Sequence, residues 1–181
     1  MGKNIFLEEN KEISLSDYMN YDSNGRSNLG TEIPITVYRL MEYSLREELA
    51  DRFGRQEQIQ VFRNAGFRAG TFFADHYLNL QLPFHEFLSH LQKTVADLKI
   101  GILRIESIDE KSGSIVLTVA EDADCSGLPL LGDTVCNYDE GFLSGIFSAY
   151  TQKRYSVIEI DCWGTGARAC RFRAEIDKVT Q

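Results

Sequence analysis

The sequence predicts an α+β domain in which an antiparallel sheet of about four strands, arranged as two hairpins, packs against about four helices. Three observations lead to this prediction. Between residues 34 and 99 the apolar side chains recur at three- and four-residue spacing, as in helices. From residue 102 the spacing changes to two, as in strands, over four short runs. These runs fall into two pairs, and each pair encloses a turn that contains glycine.

The N-terminal region, residues 1–30, is predicted to be a polar and partly ordered segment. It is rich in Asn, Asp, Ser and Gly, and it shows the period of neither a helix nor a strand. Residues 31–181 are then expected to form a single domain. A chain of 181 residues is long enough to stabilise such a domain by its own core.

Three helices are expected in the first half of this domain. Pro34 introduces the first helix and Gly54 ends it, the second runs from about residue 56 to 78, and Pro83 opens a third that continues to about residue 99. The first helix carries apolar residues four apart on one face, namely Val37, Met41, Leu45 and Leu49.

The second half is expected to consist of a hairpin, a helix and a hairpin. The predicted elements are strands at residues 102–108 and 114–120, an acidic loop at 121–135, a helix at 137–150, and strands at 155–161 and 169–176. The last turn contains Gly164 and Gly166.

Two of the predicted helices carry glycines four residues apart, in the pairs Gly66 and Gly70, and Gly141 and Gly145. Such pairs leave a smooth patch that a second helix can approach closely. We therefore expect close helix packing at both pairs, and we predict from them that the chain forms a homodimer.

The overall charge excludes two classes of partner. A net charge of -8 and a pI near 4.9 argue against a nucleic-acid surface and against binding to anionic lipid. No apolar run is long enough to cross a bilayer, and the N-terminus lacks the pattern of a signal peptide. A cytoplasmic location is expected, and in that reducing compartment the four cysteines are metal ligands or buried thiols rather than disulfides.

The C-terminal third carries a candidate set of zinc ligands, Cys136, Glu159, Cys162 and Cys170. Three thiolates and a carboxylate would fill a tetrahedral shell and leave no position for a substrate, so the metal would be structural. Two alternatives stay open: the cysteines are simply buried thiols, or Cys125 replaces Glu159 in a four-cysteine site. Strict strand alternation would place Glu159 and Cys162 on opposite faces, so the site requires a bulge or a strand end near Asp161.

The residues around these cysteines resemble the 4-vinyl reductase domain family. The resemblance rests on the runs 125–129 and 136–145, on Glu159 followed three residues later by Cys162, and on Cys170-Arg171-Phe172. It covers about residues 116–176 strongly and residues 26–70 more weakly. The family includes the sensor domains of phenol-responsive transcription activators, and its fold is shared with small subunits of vesicle-tethering complexes.

The resemblance implies a structural zinc on Cys136, Glu159, Cys162 and Cys170, a dimer, and a pocket for a hydrophobic ligand between the helices and the sheet. Phe142, Ile146 and His85 are the candidate ligand-binding residues, although aromatic residues at helical spacing are more often core. No catalytic triad, phosphate-binding loop or dinucleotide fingerprint is present, so we do not expect an enzyme.

The sequence therefore predicts a zinc-stabilised sensor or carrier domain that binds a hydrophobic, aromatic or tetrapyrrole ligand and acts through a partner protein. Two alternatives remain. One is an accessory factor in (bacterio)chlorophyll or bilin metabolism or in photosystem assembly. The other is a structural, dimerising subunit that holds no ligand.

Overall fold

The computed structural model of the protein describes residues 13–177 and has the predicted α+β fold, with five helices and a four-stranded antiparallel sheet. The helices are α1 (Leu15–Met19), α2 (Ile35–Phe53), α3 (Arg55–Tyr77), α4 (Phe84–Asp97) and α5 (Asn137–Thr151). The strands are β1 (Ile102–Asp109), β2 (Ser114–Ala120), β3 (Tyr155–Asp161) and β4 (Cys170–Ile176). Every predicted helix and strand is present, and each boundary lies within about two residues of its predicted position.

The N-terminal segment, which the structure describes from residue 13, forms a compact unit of its own up to Ile33. It contains α1, which the sequence pattern did not predict. The helix begins at a capping box, in which Asp17 N–H donates to Ser14 Oγ and Ser14 N–H donates to Asp17 Oδ2. Residues 1–12 of the predicted partly ordered segment lie outside the described residues.

The two hairpins join into one sheet of order β1-β2-β4-β3, because β2 pairs with β4 in the antiparallel sense. One face of the sheet is buried, and its alternate residues form the core together with α4 and α5. Cys170 lies on this buried face opposite Val119, and Phe172 lies opposite Leu117. The start of β4 is therefore directed into the core.

Helices α3 and α5 pack against each other through both predicted glycine pairs. A methyl group added at Gly66 or Gly70 would clash with the backbone carbonyl oxygen of Tyr138 or Phe142 on α5. A methyl group at Gly141 or Gly145 would clash in the same way with backbone carbonyls on α3. The predicted close packing is confirmed, but it lies within one chain, so the glycines no longer support the predicted dimer.

Helix α2 directs its polar side chains inward and its apolar side chains outward. The inward-facing residues are Tyr38, Arg39, Glu42, Tyr43 and Arg46. The outward-facing stripe is Val37, Leu40, Met41 and Leu45, which are 50–71% exposed. The apolar period that predicts this helix therefore marks its exposed face.

Candidate metal centre

Four cysteines from three parts of the fold meet in the core. Cys125 lies in the loop after β2, Cys136 precedes the first residue of α5, Cys162 follows β3, and Cys170 is the first residue of β4. All four are free thiols with at most 1% of their surface exposed. Their sulfur atoms all lie within 4.8 Å of one another.

The distances between the sulfur atoms are close to those of a metal–thiolate centre. Cys125 Sγ is 2.9 Å from Cys170 Sγ, and Cys136 Sγ is 3.5 Å from Cys170 Sγ and 3.9 Å from Cys162 Sγ. In a tetrahedral zinc site, Zn–S bonds of about 2.3 Å place the sulfurs about 3.8 Å apart. The four thiols could therefore bind a metal ion with only small movements.

A bulge in β3 turns Glu159 and Cys162 toward the same interior. The β3–β4 register shifts between Glu159 and Asp161, so both Glu159 and Cys162 are buried despite their separation of three residues. The predicted irregularity near Asp161 is confirmed. It is what allows the end of this strand to contribute to the site.

Glu159 lies beside the thiols at the start of α5. Its Oε2 accepts the backbone N–H of Cys136 at 3.0 Å, while its buried Oε1 has no hydrogen-bond partner within residues 13–177. Glu140, on the first turn of α5, accepts the backbone N–H of Glu159 at 2.9 Å. The two carboxylates thus hold β3 against the N-terminus of α5.

Cys125 was the cysteine for which the sequence left the role open, and the structure places its thiol among the other three. Its separation in sequence, 11 residues from Cys136 and 45 from Cys170, matches no compact metal-binding motif. The loop after β2 returns it to the core. Only the fold therefore brings Cys125 into the cluster.

The thiols share their protons unequally. Hydrogen bonds, the strongest from Cys125, lower the pKa of Cys162, whereas hydrogen bonding with the same residue raises the pKa of Cys136 and of Cys170. Burial, followed by hydrogen bonding with Cys162, raises the pKa of Glu159 to about 8. The group thus holds negative charge on Cys162, and the N-terminus of α5 lies next to it, where a helix favours anions.

The three predicted ligand-binding residues occupy different environments. Ile146 is fully buried in the core, and Phe142 is 9% exposed, with its ring 5.1 Å from that of Phe73. The His85 side chain is 76% exposed and lies in an open groove of about 550 Å³ beside Leu82 and His90. Their role in ligand binding stays a prediction.

The inner face of α2 holds the loop that carries Cys125. Arg39 donates to the backbone carbonyl oxygens of Asp122, Ala123 and Ser126. The Tyr38 hydroxyl donates to Asp124 Oδ1 at 2.6 Å. The sequence did not predict this contact, because the polar residues of an amphipathic helix are expected to face solvent.

Glu42, on the same face, gives the protein a pH-dependent stability. Burial, and then the charge of Asp124, raises its pKa from 4.5 to about 7, although Arg46 opposes the shift. Between about pH 4.5 and 7 the folded state binds more protons here than the unfolded state, so stability falls as pH rises. Asp122, with a pKa raised to about 7 chiefly by burial, acts in the same direction.

We expect Glu42→Gln to stabilise the protein at pH 8 by about 1–3 kcal/mol and to have little effect at pH 5. Urea unfolding followed at pH 5, 6, 7 and 8 measures the difference. Glu47→Gln, at an exposed position of the same helix, is the control and should leave the wild-type profile unchanged. Parallel profiles for wild type and Glu42→Gln would contradict the prediction.

The fold and the site together define an α+β domain in which two hairpins and a glycine-packed helix pair surround a buried cysteine cluster. Residues 115–176, which contain the cluster and the second hairpin, match the family model of the vinyl-4-reductase domain. This match and the solved structures below confirm the resemblance to the 4-vinyl reductase family. Within residues 13–177, no helix combines the length and apolar content that a bilayer span requires.

Three solved structures share this fold. The phenol-responsive sensory domain of the transcription activator PoxR, solved with phenol, is 17% identical, with a TM-score of 0.63 over 80% of this chain and 75% of that one. A vinyl-4-reductase family protein from Methanocaldococcus jannaschii is 15% identical, with a TM-score of 0.57 over 83% and 85%. Trafficking protein particle complex subunit 3 from Naegleria fowleri, covalently bound to palmitic acid, is 13% identical, with a TM-score of 0.62 over 80% and 95%. At these identities the likeness establishes a common fold.

Proposed function

We propose that this protein is a zinc-stabilised domain that binds a small hydrophobic or aromatic molecule and acts as a sensor or carrier through a partner protein. The observation that carries the proposal is the cluster of four buried thiols at the junction of α5 and the second hairpin. Its support from the fold is that similar structures hold phenol in one protein and palmitic acid in another.

The donor set favours zinc. Thiolates are soft ligands that suit Zn²⁺, and four of them, or three with a carboxylate, complete a tetrahedral shell. The sulfur positions favour Cys125, Cys136, Cys162 and Cys170 as the ligands. Glu159 then lies next to the ion and holds Cys136 in place through its backbone N–H, in place of its predicted role as the fourth ligand. A filled shell gives the ion a structural role.

For the ligand, we propose the groove on α4 that contains His85 rather than the buried surroundings of Phe142 and Ile146. The volume of this groove, about 550 Å³, is within the range of about 300–1,000 Å³ that is usual for small-molecule sites. Two imidazoles, of His85 and His90, lie beside Leu82, so the groove offers hydrogen-bonding groups together with apolar surface.

Self-association is proposed through the exposed apolar stripe of α2. Val37, Leu40, Met41 and Leu45 lie along one face and are at least half exposed. Exposed apolar patches of this kind often mark interaction surfaces. A second copy of the chain could cover this stripe, and the glycine pairs have no part in it.

Native mass spectrometry of the protein purified from its own host tests the ligand and the dimer together. We expect a dimeric mass with a retained small molecule, and a reduced amount of that molecule in His85→Ala, with Glu110→Ala as the exposed control. Pigment absorbance would identify the retained molecule as a tetrapyrrole and favour the role in pigment metabolism. A monomeric mass, or a dimer without any small molecule, would contradict the corresponding half of the proposal.

A structural subunit without ligand is the second candidate, and the packing around Phe142 favours it. The Phe142 ring lies between those of Phe73 and Tyr138, at 5.1 and 6.4 Å, and Ile146 beside it is fully buried. This part of the core is therefore filled by side chains. A ligand-free dimer in the experiment above is the result that this candidate predicts.

A further inference from the structure

A second group of potential metal ligands lies next to the cysteine centre. The carboxylates of Asp122, in the loop after β2, and Asp139, in the first turn of α5, lie with Cys136 Sγ within 4.8 Å of one another. Asp122 is 3% exposed. A loop and a helix N-terminus thus bring two carboxylates and one thiol to a common point in the interior.

The oxygen atoms of this group lack hydrogen-bond donors. Asp122 Oδ1 accepts the backbone N–H of Asp124 at 2.7 Å, but its Oδ2 and the buried Oδ2 of Asp139 have no partner within residues 13–177. A buried carboxylate oxygen without a donor or a cation is costly, because its loss of hydration is not compensated. These atoms therefore require a proton or a cation between them.

The neighbouring arginines do not supply that partner. Arg39 donates to backbone carbonyls of the loop, and Arg46 donates to Glu42, Asn137 Oδ1 and the carbonyl of Val135. Among the ion pairs of residues 13–177, none includes Asp122 or Asp139. Burial accordingly raises the pKa of both carboxyls, to about 7 for Asp122, and the two can share a proton when no cation is bound.

We propose that Asp122 and Asp139 hold a second divalent cation, which shares the Cys136 thiolate with the cysteine centre. Two carboxylate oxygens and one sulfur suit a borderline ion such as Zn²⁺, whose bonds of about 2.0–2.3 Å would bring these ligands about 3.3–3.8 Å apart. The cation would balance the two carboxylates, and one coordination position would remain for water or a small ligand. The proposal rests on the proposed cysteine centre only for the shared thiolate.

The test is a count of bound zinc. The protein is stripped with a chelator, loaded with Zn²⁺ alone and examined by native mass spectrometry and elemental analysis. We expect two zinc ions per wild-type chain and one in the double variant Asp122→Asn, Asp139→Asn, in which the side chains keep their size. Glu121→Gln, an exposed carboxylate of the same loop, should retain two. Co²⁺ loading and the thiolate-to-cobalt absorption would show that the cysteine centre of the double variant is intact.

Each result has a distinct meaning. One zinc in the wild type that Cys162→Ser removes and the aspartate variant retains would overturn the second site and leave the cysteine centre standing. Two zinc ions in both the wild type and the double variant would identify the second ion as adventitious and also overturn it. Zinc that is lost with the aspartates but retained in Cys162→Ser would support the second site and overturn the cysteine centre.

Discussion

Cys162→Ser is expected to release the zinc of the cysteine centre and to lower the melting temperature by about 10 °C or more. The ion joins the loop after β2, the N-terminus of α5 and both strands of the second hairpin, so its loss removes a cross-link from the centre of the fold. A loss of several kcal/mol corresponds to a shift of this size in a domain of this length. Elemental analysis and thermal unfolding measure the two effects.

Two further variants determine the fourth ligand. If the four sulfurs bind the ion, Cys125→Ser should match Cys162→Ser, and Glu159→Gln should retain zinc with a smaller loss of stability. The opposite result would restore Glu159 as the ligand and make Cys125 a buried thiol. Ser126→Ala, next to Cys125 in the same loop, is the control and should retain zinc. Full stability of a metal-free wild type would contradict a structural zinc.

Gly70→Ala and Gly145→Ala are each expected to destabilise the protein by about 2–4 kcal/mol. In an isolated helix the same change would stabilise by about 1 kcal/mol, because Ala has the higher helix propensity. Here the added methyl group meets the backbone of the facing helix, Phe142 on α5 or Phe67 on α3, and backbone cannot rotate away as a side chain can. Urea unfolding measures the change.

The control for the glycine variants is Gly25→Ala, because an added methyl group there has no atom within 4 Å. We expect little change in stability from it. Equal effects of Gly25→Ala and Gly145→Ala would show that helix packing at the glycines is not tight. Unfolding of Gly145→Ala to a monomer of lower stability, with the dimer unaffected by Gly25→Ala, would not by itself revive a glycine-mediated dimer.

Most elements were predictable because each is determined by its own local pattern. The strands alternate between apolar and polar residues, Pro34 and Pro83 precede helices, and Gly54 separates α2 from α3. The bulge near Asp161 was also predictable, since a site that includes Glu159 and Cys162 requires it. The helix α1 was missed because five residues are too few to show a period.

The direction of each helix face was not predictable in the same way. The stripe of Val37 and Met41 on α2 is exposed, while Arg39 and Glu42 are directed inward toward the acidic loop. A period identifies a helix, but the neighbours decide which face they cover. Likewise, the glycines of α3 and α5 marked a close contact without identifying the partner helix.

The sequence by itself determined the α+β class, the order and limits of the helices and strands from residue 35 onward, and the resemblance that marks Cys136, Cys162 and Cys170 as ligand candidates. Only the tertiary structure decided that Cys125 lies among them and that Asp122 and Asp139 meet beside Cys136. The physical reason is that helices and strands follow from interactions between near neighbours in the chain. A metal centre depends instead on where loops such as 121–135 return, and that is decided by the packing of the whole domain.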